Sequence, residues 1–320
     1  MNILSEIKQP IQDSFLLFQN TYDEVLSSAN PTLALLLEHI KKSKGKQMRP
    51  MLVMLSAGIC GGITENTIHA AVALELLHTA SLIHDDVVDD SDERRGMTSV
   101  KALFNNKISI LGGDYVLSVG LNEAAVTLDP NIIATLANLG KQLADGEIYQ
   151  MDNTKMRLFD ENAYFNVIRN KTASLFASCA KIGAISSKNA DMELELKISA
   201  IGEIIGLCFQ IKDDIFDFNP DAETGKPSGK DLLEGKITLP LIYVYNNTDT
   251  HTKTAILSAL DEGDVTYLQK VVREQGGIEY ANQRLLNLQQ RALEMLDVFH
   301  DSPYKTALKK YIGHVSERKN

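Results

Sequence analysis

The spacing of proline constrains this chain more than any other feature. Its eight prolines leave three long stretches without one, 51 to 129, 131 to 219 and 241 to 302. A proline inside a helix removes a backbone donor and drives its ring into the preceding turn, so stretches that exclude it are where helices can run. Apolar side chains recur within them at helical intervals, as at Ala71, Leu74, Leu77, Leu82 and Ile83, or Leu285, Leu288, Ala292, Leu296 and Phe299. The period-two alternation of a half-buried strand is nearly absent. The expectation is an all-α protein with about ten or more helices. Loop signals fall at Lys44-Gly45, Arg95-Gly96, Asp129-Pro130, Asn219-Pro220, Thr224-Gly225-Lys226-Pro227 and Gln275-Gly276-Gly277. A length of 320 residues permits two medium domains. No linker, composition shift or repeat divides the chain, so a single domain over 1–320 is expected.

Charge and cysteine usage narrow the function. With 42 acidic against 32 basic side chains the formal charge is −10, which argues against non-specific nucleic-acid binding. A phosphorylated ligand would need a local basic cluster or a metal ion. Cys60, Cys179 and Cys208 are too far apart for a zinc or redox pair and read as small buried hydrophobes. The first residues lack the basic region and apolar core of a signal peptide. Glu203, Lys212, Asp114 and Glu123 interrupt the most apolar later stretches before they reach membrane-spanning length. A soluble protein of the reducing cytoplasm, with no integral membrane segment, is the expectation.

Two aspartate clusters stand out. Asp85-Asp86-Val87-Val88-Asp89 follows the apolar run Leu74 to Ile83, and Asp213-Asp214-Ile215-Phe216-Asp217 follows Ile198 to Ile211. Chance gives about 0.1 occurrences of this spacing in a chain of this composition. In each, the first and last aspartates share one helix face, with the middle one about 100° around. Like charges four apart repel unless a cation sits there, and carboxylates with water and phosphate oxygens suit Mg²⁺. A single such cluster reads equally well as a solvated acidic helix end. A calcium loop over Asp85 to Glu93 lacks the central glycine and the terminal glutamate at the required spacing.

Polar residues in phase with these clusters complete the pattern. Gly45-Lys46-Gln47-Met48-Arg49-Pro50 puts two cations at a helix start, suited to a phosphate. Arg94-Arg95-Gly96 follows the first cluster closely. His78 lies seven residues before Asp85 and Gln210 three before Asp213, each on its cluster's helix face. Lys226 and Lys236 fall in the loop after the second cluster. Singly, each of these is more often a surface residue or a satisfied core histidine.

Together the motifs resemble those of the trans-isoprenyl diphosphate synthases, or polyprenyl synthetases. Leu76-Leu77-His78-Thr79-Ala80-Ser81-Leu82-Ile83-His84-Asp85-Asp86-Val87-Val88-Asp89 resembles the first aspartate-rich motif of the long-chain members. Arg94-Arg95-Gly96 and Gly112-Gly113-Asp114-Tyr115 continue the likeness, with departures at Met97 and Ser99. Phe209-Gln210-Ile211-Lys212-Asp213-Asp214-Ile215-Phe216-Asp217 resembles the second motif. The loop Gly225-Lys226-Pro227 to Gly235-Lys236-Ile237-Thr238-Leu239-Pro240 resembles the one that follows it. The first 40 and last 80 residues add little to the resemblance.

The resemblance implies an isoprenoid synthase fold, helices around a central cavity, and head-to-tail condensation of an allylic diphosphate with isopentenyl diphosphate. It implies that Asp85, Asp86, Asp89, Asp213, Asp214 and Asp217 bind Mg²⁺, three ions with the allylic diphosphate present. Arg94, Lys171, Lys226 and Lys236 would neutralise the departing pyrophosphate, and Thr172 and Gln210 would stabilise the allylic cation. Isopentenyl diphosphate would sit on Lys46, Arg49, His78 and Arg95. A homodimer is implied as well.

Product length would follow from the depth of the apolar cavity below the first motif. Ala80 and Ser81 are small where an aromatic would close the floor, which favours a long product; Leu77, a turn further, is a partial plug. The rivals are a short- or medium-chain synthase and a terpene cyclase, whose second motif usually carries Asn, Ser and Glu instead. A non-catalytic subunit of a heteromeric synthase would have lost motif aspartates, and none is lost here.

Overall fold

The structure is a computed structural model that describes residues 2–94, 96–188, 191–218 and 229–318; Arg95 and Lys226 lie outside the described residues. The described residues are overwhelmingly helical, as expected. Their one sheet is a pair of two-residue antiparallel strands, β1 (Glu93–Arg94) and β2 (Met97–Thr98), with Arg94 opposite Met97. Backbone contacts divide the chain into two compact units. The first comprises 1–140, 178–199 and 299–308, and the second 141–177, 200–298 and 309–320.

The first unit is built around α5 (Glu65–Val88). It packs on α2 (Gln12–Val25), α4 (Met48–Cys60), α6 (Val100–Phe104) and α7 (Asn106–Val126). α1 (Ile3–Lys8) and α3 (Pro31–Lys42) complete this part of the chain. Nearly every side chain of α5 from Thr67 to Ile83 is buried, so the helix is apolar on all sides rather than striped. Its start is fixed by a reciprocal cap in which the Thr64 hydroxyl accepts from the Thr67 amide and the Thr64 amide donates to the Thr67 hydroxyl. The Thr64 hydroxyl also donates to the Ser186 carbonyl at 2.7 Å, tying this end to the end of α10 (Ser174–Ile185).

Glycines let particular helices approach closely. A Cβ on Gly183 of α10 would lie 2.3 Å from the Val53 carbonyl oxygen of α4, and one on Gly120 of α7 would lie 3.1 Å from the Ala73 carbonyl oxygen of α5. Gly113 leaves room for the His84 ring, whose Nε2 lies 3.4 Å from Asp114. Gly112 in turn receives Leu36. The Gly112-Gly113-Asp114 motif therefore has a packing explanation.

α8 (Pro130–Met156) and α11 (Met192–Asp217) contribute residues to both units, as do α10 and α17 (Pro303–Glu317). The second unit holds α9 (Glu161–Ile168), then a π-helical turn over Arg169–Ala173 that leads into α10. After α11 come α12 (Lys230–Leu233), α13 (Leu239–Asn247), α14 (Thr250–Glu262), α15 (Val265–Glu274) and α16 (Gly277–Met295). Phe218, Leu232, Leu241, Val244, Leu268 and Val272 form its apolar cluster. No helix among the described residues is long and apolar enough to cross a membrane. All three cysteines are free and buried. Burial pushes the Cys60 and Cys208 thiols up to about 12, and Cys179 upward too, so they pack as hydrophobes and do not act as nucleophiles.

Candidate active site

Both aspartate clusters sit where the sequence reading put them, in the last turn of a buried helix. Asp85 and Asp86 lie in the final turn of α5 with Asp89 as its C-cap, and Asp217 is the last residue of α11. A helix C-terminus carries partial negative charge, so three carboxylates there are opposed by the dipole as well as by one another. The structure answers with arginines. Asp86 is 3% exposed and accepts from Arg94 through Nε at 2.8 Å and Nη2 at 2.5 Å. Asp213 accepts from Arg318 Nη2 at 2.7 Å. Arg318 also donates to the Phe209 carbonyl at 2.7 Å and lies 3.8 Å from the centre of the Phe209 ring.

The two clusters share one plan. In each, the middle aspartate turns inward and is buried, Asp86 at 3% and Asp214 at 2% exposure, while the first and last stay partly or fully exposed. Among the described residues, no three His, Cys, Asp or Glu side chains gather closely enough to hold a metal by themselves. Mg²⁺ takes one or two carboxylates and completes its shell with water and phosphate oxygens, so Asp85 with Asp89, and Asp213 with Asp217, are donor sets of the kind it accepts. Asp217 is already oriented: its carboxylate accepts the Gly229 amide at 2.8 Å and the Leu232 amide at 3.3 Å. Burial and then the charge of Asp231 raise its pKa, while these amides hold it down.

In the first unit, Lys46 is exposed and Arg49 half-buried at the start of α4. The N-cap residue between them, Gln47, takes a left-handed conformation with φ 52° and accepts from Gln19 Nε2 at 3.1 Å. A side chain held there marks a position where geometry outweighs local preference. His78 is buried on the same face of α5 as Asp85. Ser81 shares that face, stays partly exposed and donates to the His78 carbonyl at 2.9 Å. Ala80 differs. At 1% exposure it lies by helical phase on the side of α5 where Gly120 meets Ala73 and Leu76. Leu77 is 7% exposed. Behind the cluster, on the Asp86 side of α5, Glu75, Thr79, Asp86, Arg94, Lys44 and Tyr22 join Ile40, Leu82, Ile83 and Val100 in lining a cavity of about 50 Å³. The hairpin that presents Arg94 is tied by Ser99, whose amide donates to the Asp92 carbonyl at 2.8 Å and whose hydroxyl donates to the Ser91 carbonyl at 2.7 Å.

In the second unit, Lys171 and Thr172 lie inside the π turn. Such turns interrupt the regular helical phase and recur at functional sites. Two glycines clasp this one. A Cβ on Gly146 of α8 would meet the Lys171 amide at 2.8 Å, and one on Gly206 of α11 would meet Ala173 Cα at 2.5 Å. Lys171 donates to Glu147 at 2.6 Å and to Gln150 at 3.2 Å, both on α8. The Thr172 hydroxyl donates to Gln210 Oε1 at 2.7 Å, and Gln210 Nε2 donates to Asp214 Oδ1 at 2.8 Å. Tyr164 donates to the other oxygen of Asp214 at 2.6 Å. Burial, aided by the charge of Asp231, pushes the Asp214 carboxyl up to about 7 against these two hydrogen bonds. Lys236 lies in the loop before α13 and bonds Asp231 at 2.9 Å and Glu234 at 2.6 Å. Burial opposes its charge, yet the two acids hold its ammonium above the ordinary lysine range.

The structure thus brings Thr172, Gln210 and Asp214 into one connected group and Asp86 with Arg94 into another, while Lys171 turns to Glu147 and Gln150 on α8. The sequence reading missed Tyr164, Glu147, Gln150, Asp231 and Arg318. None carries a motif of its own, and each is found only through the partner to which the fold delivers it.

Known proteins resemble this chain over most of its length. The family model described as Polyprenyl synthetase matches residues 30–274. The all-trans-nonaprenyl-diphosphate synthase (geranyl-diphosphate specific) of Rhodobacter capsulatus is 34% identical over 311 residues, covering 95% of this chain and 94% of that protein. Among solved structures, the geranylgeranyl pyrophosphate synthase of Bacteroides thetaiotaomicron superposes with a TM-score of 0.85 at 40% identity, over 99% of this chain and 100% of that one. A decaprenyl diphosphate synthase from Rhodobacter capsulatus reaches a TM-score of 0.92 at 28% identity, over 99% of each chain. The matched segment runs from the start of α3 to the end of α15 and takes in both aspartate-bearing helix ends. Likeness of this degree over nearly the whole length leads to one conclusion: the chain belongs to the polyprenyl synthetase family and is a trans-prenyltransferase.

Proposed function

We propose that the chain condenses an allylic diphosphate, such as farnesyl or geranyl diphosphate, with successive isopentenyl diphosphates to give a long all-trans polyprenyl diphosphate. The observation that carries this is the shared plan of the two helix ends, where carboxylates four residues apart stay accessible at the foot of an apolar helix. When bound there, Mg²⁺ supplies positive charge to the diphosphate as its bond to the allylic carbon breaks. Asp85, Asp86, Asp89, Asp213, Asp214 and Asp217 hold the ions, directly or by orienting their neighbours. Arg94, Lys171, Lys226 and Lys236 add fixed positive charge for the leaving pyrophosphate. Lys46, Arg49, His78 and Arg95 hold isopentenyl diphosphate. The oxygens of Thr172 and Gln210 face the allylic cation, a new carbon–carbon bond forms, and pyrophosphate accepts the proton then lost. On this reading 1–320 works as one polyprenyl synthetase domain in a homodimer, in the reducing cytoplasm where its free thiols persist. The exposed apolar side chains Ile110, Leu111, Leu121 and Val126 of α7 support a covered face in such a dimer.

The test is incubation with labelled isopentenyl diphosphate, Mg²⁺ and each allylic primer in turn, followed by chromatography. Long all-trans products that vanish with chelator and return with added Mg²⁺ are expected; no incorporation from any primer overturns the reading. A twenty-carbon product is the second reading, favoured by the 40% identity to the Bacteroides protein, and the same chromatogram separates the two. Length control is assigned first to Ser81, which stays partly exposed on the Asp85 face while Ala80 is packed away. Ser81→Phe is expected to shorten the product by several isoprene units, and an unchanged chain-length distribution would remove Ser81 from that role.

A further inference from the structure

Four side chains of the second unit form a hydrogen-bonded line whose polarity is set at one end. Tyr164 comes from α9, Thr172 from the π turn, and Gln210 and Asp214 from consecutive turns of α11. Asp214 is 2% exposed and Tyr164 6%, so water cannot replace either in serving the other. Both carboxylate oxygens act as acceptors: Oδ2 takes the Tyr164 hydroxyl at 2.6 Å, and Oδ1 takes Gln210 Nε2 at 2.8 Å. An amide has its donors on one side and its acceptor on the other. With its NH₂ group turned to Asp214, Gln210 must present its carbonyl oxygen to Thr172, and it does so at 2.7 Å.

We propose that Tyr164 is a positioning residue, which by holding Asp214 fixes the Gln210 amide with its oxygen turned toward Thr172. The inference rests on the reading above, in which Thr172 and Gln210 face the allylic cation, and it deepens that reading. For a cation the direction of the amide matters: an oxygen stabilises it, whereas an NH₂ group repels it. Without the tyrosine hydroxyl, Oδ2 of Asp214 is left buried without its donor. The carboxylate can then rotate, and the amide loses the partner that selects one of its two orientations. Tyr164 touches no substrate in this scheme and acts only through Asp214. It also gives the middle aspartate of the second cluster a task distinct from that of Asp213 and Asp217.

Tyr164→Phe in the full-length chain tests this with two readouts. In steady-state condensation with Mg²⁺, kcat is expected to fall about ten-fold while both substrate KM values and the Mg²⁺ concentration for half-activation stay within two-fold. In a spectrum of chain labelled with ¹⁵N-glutamine, the Gln210 side-chain NH₂ pair, assigned by its loss in Gln210→Met, is expected to move toward the position of an exposed amide. Asp214→Asn, which can offer Gln210 either a donor or an acceptor, is expected to do the same, and it supplies the spectroscopic test if Tyr164→Phe does not fold. An unmoved NH₂ pair overturns the proposal, as does a kcat within two-fold of wild type. A raised Mg²⁺ requirement with kcat preserved at saturation also overturns it, because Tyr164 would then serve the metal site. Wild-type chain that turns over no allylic diphosphate sinks the prenyltransferase reading alone, and the spectrum still decides the orientation of the amide.

Discussion

Asp85→Ala and Asp213→Ala are each expected to lower the rate of isopentenyl diphosphate incorporation by about 10²–10³-fold, the loss typical of removing one group that stabilises developing charge. The two substitutions reach this loss from different surroundings. Asp85 lies in the last turn of α5, beside an inward-turned neighbour already neutralised by Arg94. Asp213 is itself paired with Arg318, which is 13% exposed and covers the Phe209 ring. Asp213→Ala therefore takes a carboxylate from a largely buried arginine as well as from the reaction, and some thermal stability is expected to go with it. Comparing initial rates at saturating Mg²⁺ with melting temperatures separates the two effects. Turnover within a few-fold of wild type for either variant would end the assignment of that cluster to the diphosphate.

Gly183→Ala carries the largest expected loss of stability. The added methyl would lie 2.3 Å from the Val53 carbonyl oxygen, 2.8 Å from Ser56 Cβ and 3.1 Å from the Ala57 amide. All three belong to α4, whose residues Pro50 to Ala57 are buried. None is the tip of a flexible side chain, so one helix must shift. The expected cost is about 3 kcal/mol, the upper end of the range for overpacking. In a unit of this size that lowers the melting temperature by about 6–12 °C. Gly113→Ala is the control: its methyl would meet His84 Nε2 at 2.4 Å, the far end of a partly exposed ring that can swing aside. If the two variants melt together, the rigidity argued for the α4–α10 contact is wrong.

What could be read from the sequence was what depends on local period. Proline-free stretches and helical spacing gave the all-α class, and the aspartate spacing placed both clusters at the ends of apolar helices, where α5 and α11 have them. Helical phase separated the middle aspartates from the outer ones, and the structure adds that the middle ones turn inward while the outer ones stay accessible. Phase did not show which partner each aspartate would meet. Asp86 finds Arg94 eight residues on, through a two-residue β bridge too short to leave a strand signal. Asp214 finds Tyr164 fifty residues back, and Asp213 finds Arg318 more than a hundred residues on. Such pairings depend on which helices pack together, and side-chain periodicity within one helix carries no record of that. Ala80 and Ser81 show the same limit on a smaller scale. Both are small and adjacent, and only the α5–α7 contact at Gly120 separates the packed one from the accessible one.

The turn at Arg169–Ala173 has a consequence for how the sequence can change. A π turn holds one residue more than the α-helical frame on either side of it, so it acts as a frame shift in a continuous helix. Ahead of it, Tyr164, Val167 and Ile168 face inward; Ala173 at its end, and Leu175, Phe176 and Cys179 beyond it, do so again. The extra residue lets the neighbouring Lys171 and Thr172 reach two different helices, α8 and α11, without turning either apolar run outward. A five-residue π turn sweeps nearly the same rotation as four α-helical residues, so removing one residue from this segment would restore an unbroken α-helix and leave the apolar runs on either side in phase. What would be lost is the widened turn that presents Lys171 and Thr172. The length of this segment is thus tied to its polar side chains rather than to the packing of the helix around it.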